Sequence, residues 1–183
     1  MAASLPKWIT PNQLTLLRIS VIPVLMFLIY AGDGVSNWVA LGIFSVACVT
    51  DILDGELARF RGEVSRIGKL LDPLADKMLV SACLVMLVYV GVASVVPTIL
   101  ILLREYAVSG LRQVASSEGI IVSAMRGAKY KTFLQYLAVG FLIVRHESFT
   151  FPSVEIGEIM LWIATVWTLW TGLSYFLDYF RQN

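Results

Sequence analysis

Apolar residues run in six long stretches, separated by short polar or glycine-bearing breaks. None shows the two-residue alternation of a half-buried strand, and each is near the length of a membrane-crossing helix, about 20 residues. The pattern predicts a first helix from about Gln13 to Tyr30, with Pro23 as a kink, and a turn over Ala31–Asn37. A second helix follows from Trp38 to about Phe60, and a third from about Ile67 to Val90. A fourth runs from about Val95 into the 110s, a fifth from about Ala128 to Val144, and a sixth from Val154 to about Phe180. Met78–Leu103 is 26 apolar or small residues without interruption, long enough for one tilted helix. The glycine at 91 and Pro97 are punctuation, so we split it near Gly91–Val96.

Composition agrees with an integral membrane protein. Of the 183 residues 58% are hydrophobic and 15% charged, with a mean hydropathy of +0.79, whereas a soluble domain averages about a quarter charged. No polar stretch suffices for a second, soluble domain, so one membrane domain over 1–183 is expected. With the N-terminus inside, 13 of the 14 Lys and Arg residues fall on the cytoplasmic side and only Arg145 outside, as the positive-inside rule asks. The expected fold is therefore all-α and integral to the membrane. It has six transmembrane helices, both termini cytoplasmic, and a short N-terminal interfacial segment carrying Lys7, Trp8 and Ile9. Met1–Thr10 lacks the apolar core and cleavage pattern of a signal peptide. Cys48 and Cys83 lie in apolar stretches and are expected to be packed thiols. Trp38, Trp162, Trp167 and Trp170 are expected at interfaces or in packing. A net charge of +1 gives no argument for nucleic acid, and none is expected as a partner.

Against this apolar background stands Asp51-Ile-Leu-Asp54-Gly55-Glu-Leu-Ala58-Arg59, followed by Gly68, Asp72 and Asp76. Carboxylates inside a membrane protein are costly and usually mark a site. On an ideal helix Asp51, Asp54, Gly55 and Ala58 share an arc of about 100°. Asp72 and Asp76 stand one turn apart on the next helix, with Gly68 a turn before them. The short link from Arg61 to Ile67 lets the two helices run antiparallel, so the four carboxylates can converge. An oxygen-only donor set favours a hard cation, Mg²⁺ or Mn²⁺, and four carboxylates suit two such ions. Gly55 and Ala58 leave room for a base or diphosphate, and Arg59 sets a cation beside that gap. Two other readings carry less: a structural charge network with Arg59, Arg61, Lys69 and Lys77, and a divalent-ion transporter. The first explains neither the small residues nor four acids in one register. The second needs acids across the bilayer rather than at one side.

The spacing Asp-x2-Asp-Gly-x2-Ala-Arg-x8-Gly-x3-Asp-x3-Asp closely resembles the signature of the CDP-alcohol phosphotransferase family. The resemblance implies a cytoplasm-facing site, two divalent metals, six transmembrane helices and a homodimer. It also implies transfer of a phosphatidyl or similar group from a CDP-alcohol to an acceptor hydroxyl, with release of CMP. Carried over by position, Asp51, Asp54, Asp72 and Asp76 become metal ligands, and Asp76 also the general base. Asp54, Gly55, Ala58, Arg59 and Gly68 become CDP contacts.

Thr10-Pro-Asn-Gln-Leu-Thr-Leu-Leu-Arg18, Arg104-Glu-Tyr-Ala-Val-Ser-Gly-Leu-Arg112 and Lys129-Tyr-Lys131-Thr132 resemble the bacterial branch that makes phosphatidylglycerophosphate. Ala128 stands where that branch usually has glycine. This implies CDP-diacylglycerol as donor, sn-glycerol 3-phosphate as acceptor, membrane lipid as surroundings and the bacterial inner membrane as location. Inositol phosphate, serine or phosphatidylglycerol are the alternative acceptors. An acceptor phosphate needs cations, for which Arg18, Arg104, Arg112, Lys129 and Lys131 are candidates. Each has a plainer role as a helix anchor at the membrane surface, and Arg104 reads equally as an ion pair with Glu105. Arg126 reads as a solvated or headgroup-facing charge. His146 and Asp33 fall in outer turns and are given no part in catalysis.

Overall fold

The computed structural model describes residues 11–61, 66–117, 128–145 and 152–182; within them, the side chains of 11–15, 51–61, 66–76, 116, 128, 129 and 182 lie outside the described set. The described residues form six helices and no strand: α1 (Pro11–Ala31), α2 (Gly34–Arg61), α3 (Arg66–Tyr89), α4 (Val95–Ser117), α5 (Ala128–Val144) and α6 (Ser153–Gln182). The six apolar stretches thus became six helices. The N-terminal segment, Arg126 and His146 are outside the described residues.

One boundary differs from the sequence reading. The turn expected over Ala31–Asn37 narrows to Gly32 and Asp33. Gly32 takes a left-handed φ of 69° and donates its N–H to the Leu28 carbonyl at 3.3 Å, which closes α1. Asp33 then caps α2: its Oδ1 accepts the Ser36 N–H at 2.7 Å and its Oδ2 the Ser36 hydroxyl at 2.9 Å. A capping aspartate starts the helix at once, so residues that looked like loop are its first turn.

The long apolar run does divide where expected. Gly91, at φ 75°, donates to the Val88 carbonyl at 3.0 Å, and Val92 and Ala93 donate to that of Leu87. Pro97 falls in the first turn of α4, where no intrahelical N–H is needed.

Packing divides the chain into two units, Met1–Met86 and Leu87–Asn183. In the first, α1 packs on α2, and its buried residues include Leu25, Ile29, Ala40, Phe44 and Cys48, with Leu79, Cys83 and Leu84 of α3. Both cysteines are buried, as expected. In the second, α6 packs against both α5 and α4. Gly157 makes the α5 contact close: a Cβ there would stand 2.8 Å from Leu142 Cγ and 3.1 Å from the Leu142 backbone nitrogen. A buried Gln135–Thr168 hydrogen bond of 3.2 Å joins the same two helices.

Outward, every helix carries large exposed apolar side chains, among them Phe27, Val46, Val85, Leu103, Phe133 and Trp170. Trp38, Trp162 and Trp167 are exposed as well. Among the described residues α6 is long and apolar enough over Ser153–Arg181 to cross a membrane, and shorter apolar helices occur in α1, α2, α3 and α5.

Candidate functional site

The backbone places the acidic motif on two consecutive helices. Asp51, Asp54, Gly55, Ala58 and Arg59 occupy the C-terminal part of α2, while Gly68, Asp72 and Asp76 occupy the N-terminal part of α3. Their side chains are outside the described set. Helical backbone at both places fixes the i, i+3 and i, i+4 registers assumed from the sequence. The residues the sequence offers for a metal are these four aspartates, two on each helix, and carboxylate oxygens suit a hard divalent cation and not a thiophilic one. Among the described side chains there is no group of three or more His, Cys, Asp or Glu that could hold a metal.

The basic candidates divide between the two units. Arg18 is in the first unit, 5% exposed, on the wall of a cavity of about 260 Å³ between α1 and α2. Leu17, Val21, Ile43, Val46 and Thr50 also line it, so its surface is mainly apolar. Lys129 begins α5, its side chain outside the described set. The structure brings together the other three, Arg104, Arg112 and Lys131.

Arg104 is 7% exposed and Lys131 9%. Buried cations cost several kcal/mol each unless they are paired and hydrogen-bonded. Here the half-buried Glu105 serves both. Its Oε1 accepts Arg104 Nη1 at 3.1 Å and also the Lys131 ammonium. The ion pair between Arg104 and Glu105 is therefore formed, and Lys131 of α5 joins it.

Three residues of α6 complete the arrangement, and sequence reading assigned none of them. Thr171 Oγ1 accepts Arg104 Nη2 at 3.0 Å. Gly172 gives the arginine stem its space, since a Cβ there would stand 2.8 Å from Arg104 Cγ. The Tyr175 ring lies near two guanidinium carbons, that of Arg104 at 5.9 Å from its centroid and that of Arg112 at 5.4 Å. The signal was in the sequence. Thr165, Thr168, Thr171 and Tyr175 recur at spacings of three and four, one buried face of an otherwise lipid-like helix.

The described side chains of this cluster hold three cations, Arg104, Arg112 and Lys131, against one carboxylate, Glu105. Such a surplus among the described side chains favours an anion with more than one negative oxygen, and guanidinium forks match phosphate geometry.

Six helices with large exposed apolar side chains, an aspartate-bearing pair among them, define the class: an all-α, membrane-like protein. The chain belongs to the CDP-alcohol phosphatidyltransferase family, whose profile it matches over residues 8–170. It is 41% identical over 167 residues to a Rickettsia typhi protein named CDP-diacylglycerol–glycerol-3-phosphate 3-phosphatidyltransferase, with 91% of this chain and 94% of that one covered. A Bacillus subtilis protein of the same name is 38% identical over 178 residues, covering 91% and 92%. The crystal structure of Mycobacterium tuberculosis phosphatidylinositol phosphate synthase in apo form superposes with a TM-score of 0.66 at 19% identity. That match covers 92% of this chain and 88% of the other, and likeness at such identity speaks for the fold alone.

Proposed function

We propose that this chain transfers the phosphatidyl group of CDP-diacylglycerol to sn-glycerol 3-phosphate, giving phosphatidylglycerophosphate and CMP. The structural observation that carries the acceptor is the Arg104–Glu105–Lys131 cluster with Arg112 beside it, a cationic surplus suited to a phosphate dianion. Relatives near 40% identity along nearly the whole chain bear the name of that reaction.

In this reading Asp51, Asp54, Asp72 and Asp76 hold two divalent cations, Mg²⁺ or Mn²⁺. When bound, these ions neutralise the diphosphate and the charge developing on the departing CMP. Asp76 takes the proton of the acceptor hydroxyl. That oxygen attacks the lipid-bearing phosphorus in line, and the bond to the CMP oxygen breaks with its electron pair leaving on CMP. Gly55, Ala58 and Gly68 let the CDP moiety approach the backbone, and Asp54 and Arg59 orient it. Arg112 and Lys131 bind the acceptor phosphate, with Lys129, Arg104 and Arg18 contributing charge.

We place all six helices across the bacterial inner membrane, with both termini and the aspartates cytoplasmic and the N-terminal segment in the interface. Outward apolar side chains on every helix and the one-sided distribution of Lys and Arg support this. The chain works as a single domain and as a homodimer within membrane lipid.

The test is CMP release by purified protein with CDP-diacylglycerol, Mg²⁺ and single acceptors. Release with glycerol 3-phosphate alone, abolished by EDTA, is the expected result. Release with inositol phosphate or another alcohol instead would keep the family and replace the acceptor. Metal flux in liposomes with no nucleotide dependence would point to a transporter.

A further inference from the structure

We propose that Thr171 and Tyr175 of α6 are positioning residues that set the spacing of the cations binding the acceptor phosphate, and so select acceptors that carry one. The inference rests on the reading of the Arg104–Glu105–Lys131 cluster as the acceptor site. Arg104 and Arg112 lie eight residues apart on α4, a rise of about 12 Å between their Cα atoms. Both guanidinium groups nevertheless approach one ring, that of the buried Tyr175. Two like charges drawn toward one point repel each other. The electron-rich face of an aromatic ring attracts each and offsets part of that repulsion.

The two arginines are held differently. Arg104 is pinned by Glu105 on one nitrogen and Thr171 on another, over the gap left by Gly172. Its orientation is therefore fixed by α4 and α6 together. Arg112 is exposed, and among the described contacts its guanidinium has the Tyr175 ring as its anchor. A long, exposed arginine samples many rotamers, and an anchor reduces what is lost when it closes on a ligand. Through Glu105 the same network reaches Lys131 on α5. Thr171 and Tyr175 touch no substrate in this account; they act through Arg104 and Arg112.

The experiment is steady-state kinetics on two conservative pairs, Tyr175→Phe with Tyr175→Leu and Thr171→Ser with Thr171→Val, measuring KM for each substrate separately. Tyr175→Leu is expected to raise KM for glycerol 3-phosphate about five- to tenfold, between the size of an exposed cation–π contact and that of a desolvated one. KM for CDP-diacylglycerol should stay within about twofold, within the noise of a remote change. Tyr175→Phe keeps the ring and should behave as wild type, and Thr171→Ser should restore what Thr171→Val loses. If the phenylalanine and leucine variants are equally impaired, or both KM values rise together, the positioning role is overturned. Should Tyr175→Leu fail to fold, the threonine pair decides: equal acceptor KM for Ser and Val overturns the proposal. Wild-type protein releasing no CMP with glycerol 3-phosphate overturns the acceptor reading itself, a result separable from unchanged KM in the variants.

Discussion

Gly172 of α6 lies directly against the side chain of Arg104 of α4, where an added methyl would stand 2.8 Å from Cγ and 2.9 Å from Nε. The near atom is in the stem, not at the flexible tip, and the tip is held by Glu105 and Thr171. Relief therefore means breaking one of those bonds or separating the helices. Gly172→Ala gains about 1 kcal/mol in helix propensity but meets an overpacking cost of about 1–3 kcal/mol. The cost prevails: a lower Tm and a raised KM for the acceptor are expected, read by thermal unfolding in detergent and by CMP release. Gly110, with nothing within 4 Å of its would-be Cβ, is the control; Gly110→Ala should not lower Tm.

Glu158 of α6 grips the start of α4. Its Oε1 accepts the Ser94 N–H at 2.6 Å and its Oε2 the Ser94 hydroxyl at 2.5 Å. A carboxylate taking two hydrogen bonds from one residue fixes the angle at which the chain enters the helix. Charged hydrogen bonds contribute about 1.5–3 kcal/mol. Glu158→Ala should lower Tm and speed amide exchange over residues 91–95, while KM for both substrates stays near wild type. Unchanged exchange at that turn would argue against the clasp.

Helix boundaries were legible because local signals and hydropathy agreed. Gly91 and Pro97 divided the 26-residue run as read, and the fifth helix was found at its observed limits. The Asp33 cap was passed over because polar residues in AGDGVSN suggested loop, although aspartate is itself a preferred N-cap residue. The helical placement of the acidic motif was legible because it is local to two consecutive helices, α2 and α3. The basic cluster was legible only in part. Arg104, Arg112 and Lys131 stood out by charge, but their arrangement depends on residues far along the chain, such as Thr171, 67 positions from Arg104. Threonine, glycine and tyrosine in an apolar helix pass as ordinary span residues, and their periodicity has meaning only once the buried face is known.

Asp33 gives a pH dependence with a definite sign. Its hydrogen bonds from Ser36 N–H and hydroxyl hold its carboxyl below the ordinary value of 3.8. A group whose folded pKa is depressed contributes stability above its unfolded pKa, and loses it as pH falls through the folded value. Asp33→Ala should therefore unfold at a lower temperature than wild type at neutral pH. The difference should shrink below about pH 4, as the wild-type carboxylate takes up its proton. Tm measured against pH for the pair checks this; a gap that widens in acid would reverse the assignment.

Asp76→Asn separates catalysis from folding. The substitution keeps the shape of the side chain and its place on α3, but removes the negative charge and the capacity to take a proton. General-base catalysis contributes about 10²–10⁴-fold, and a lost metal ligand adds to that, so CMP release should fall by at least about 10²-fold. Tm without added metal should hold or rise, because the proposed site then has one like charge fewer to accommodate. Mg²⁺ or Mn²⁺ should raise the Tm of wild type, as any ligand of the native state does, and raise that of the variant less. A variant that keeps near wild-type turnover removes Asp76 as the base. One that loses turnover but keeps the full metal-dependent Tm shift leaves Asp76 as base and removes it as ligand.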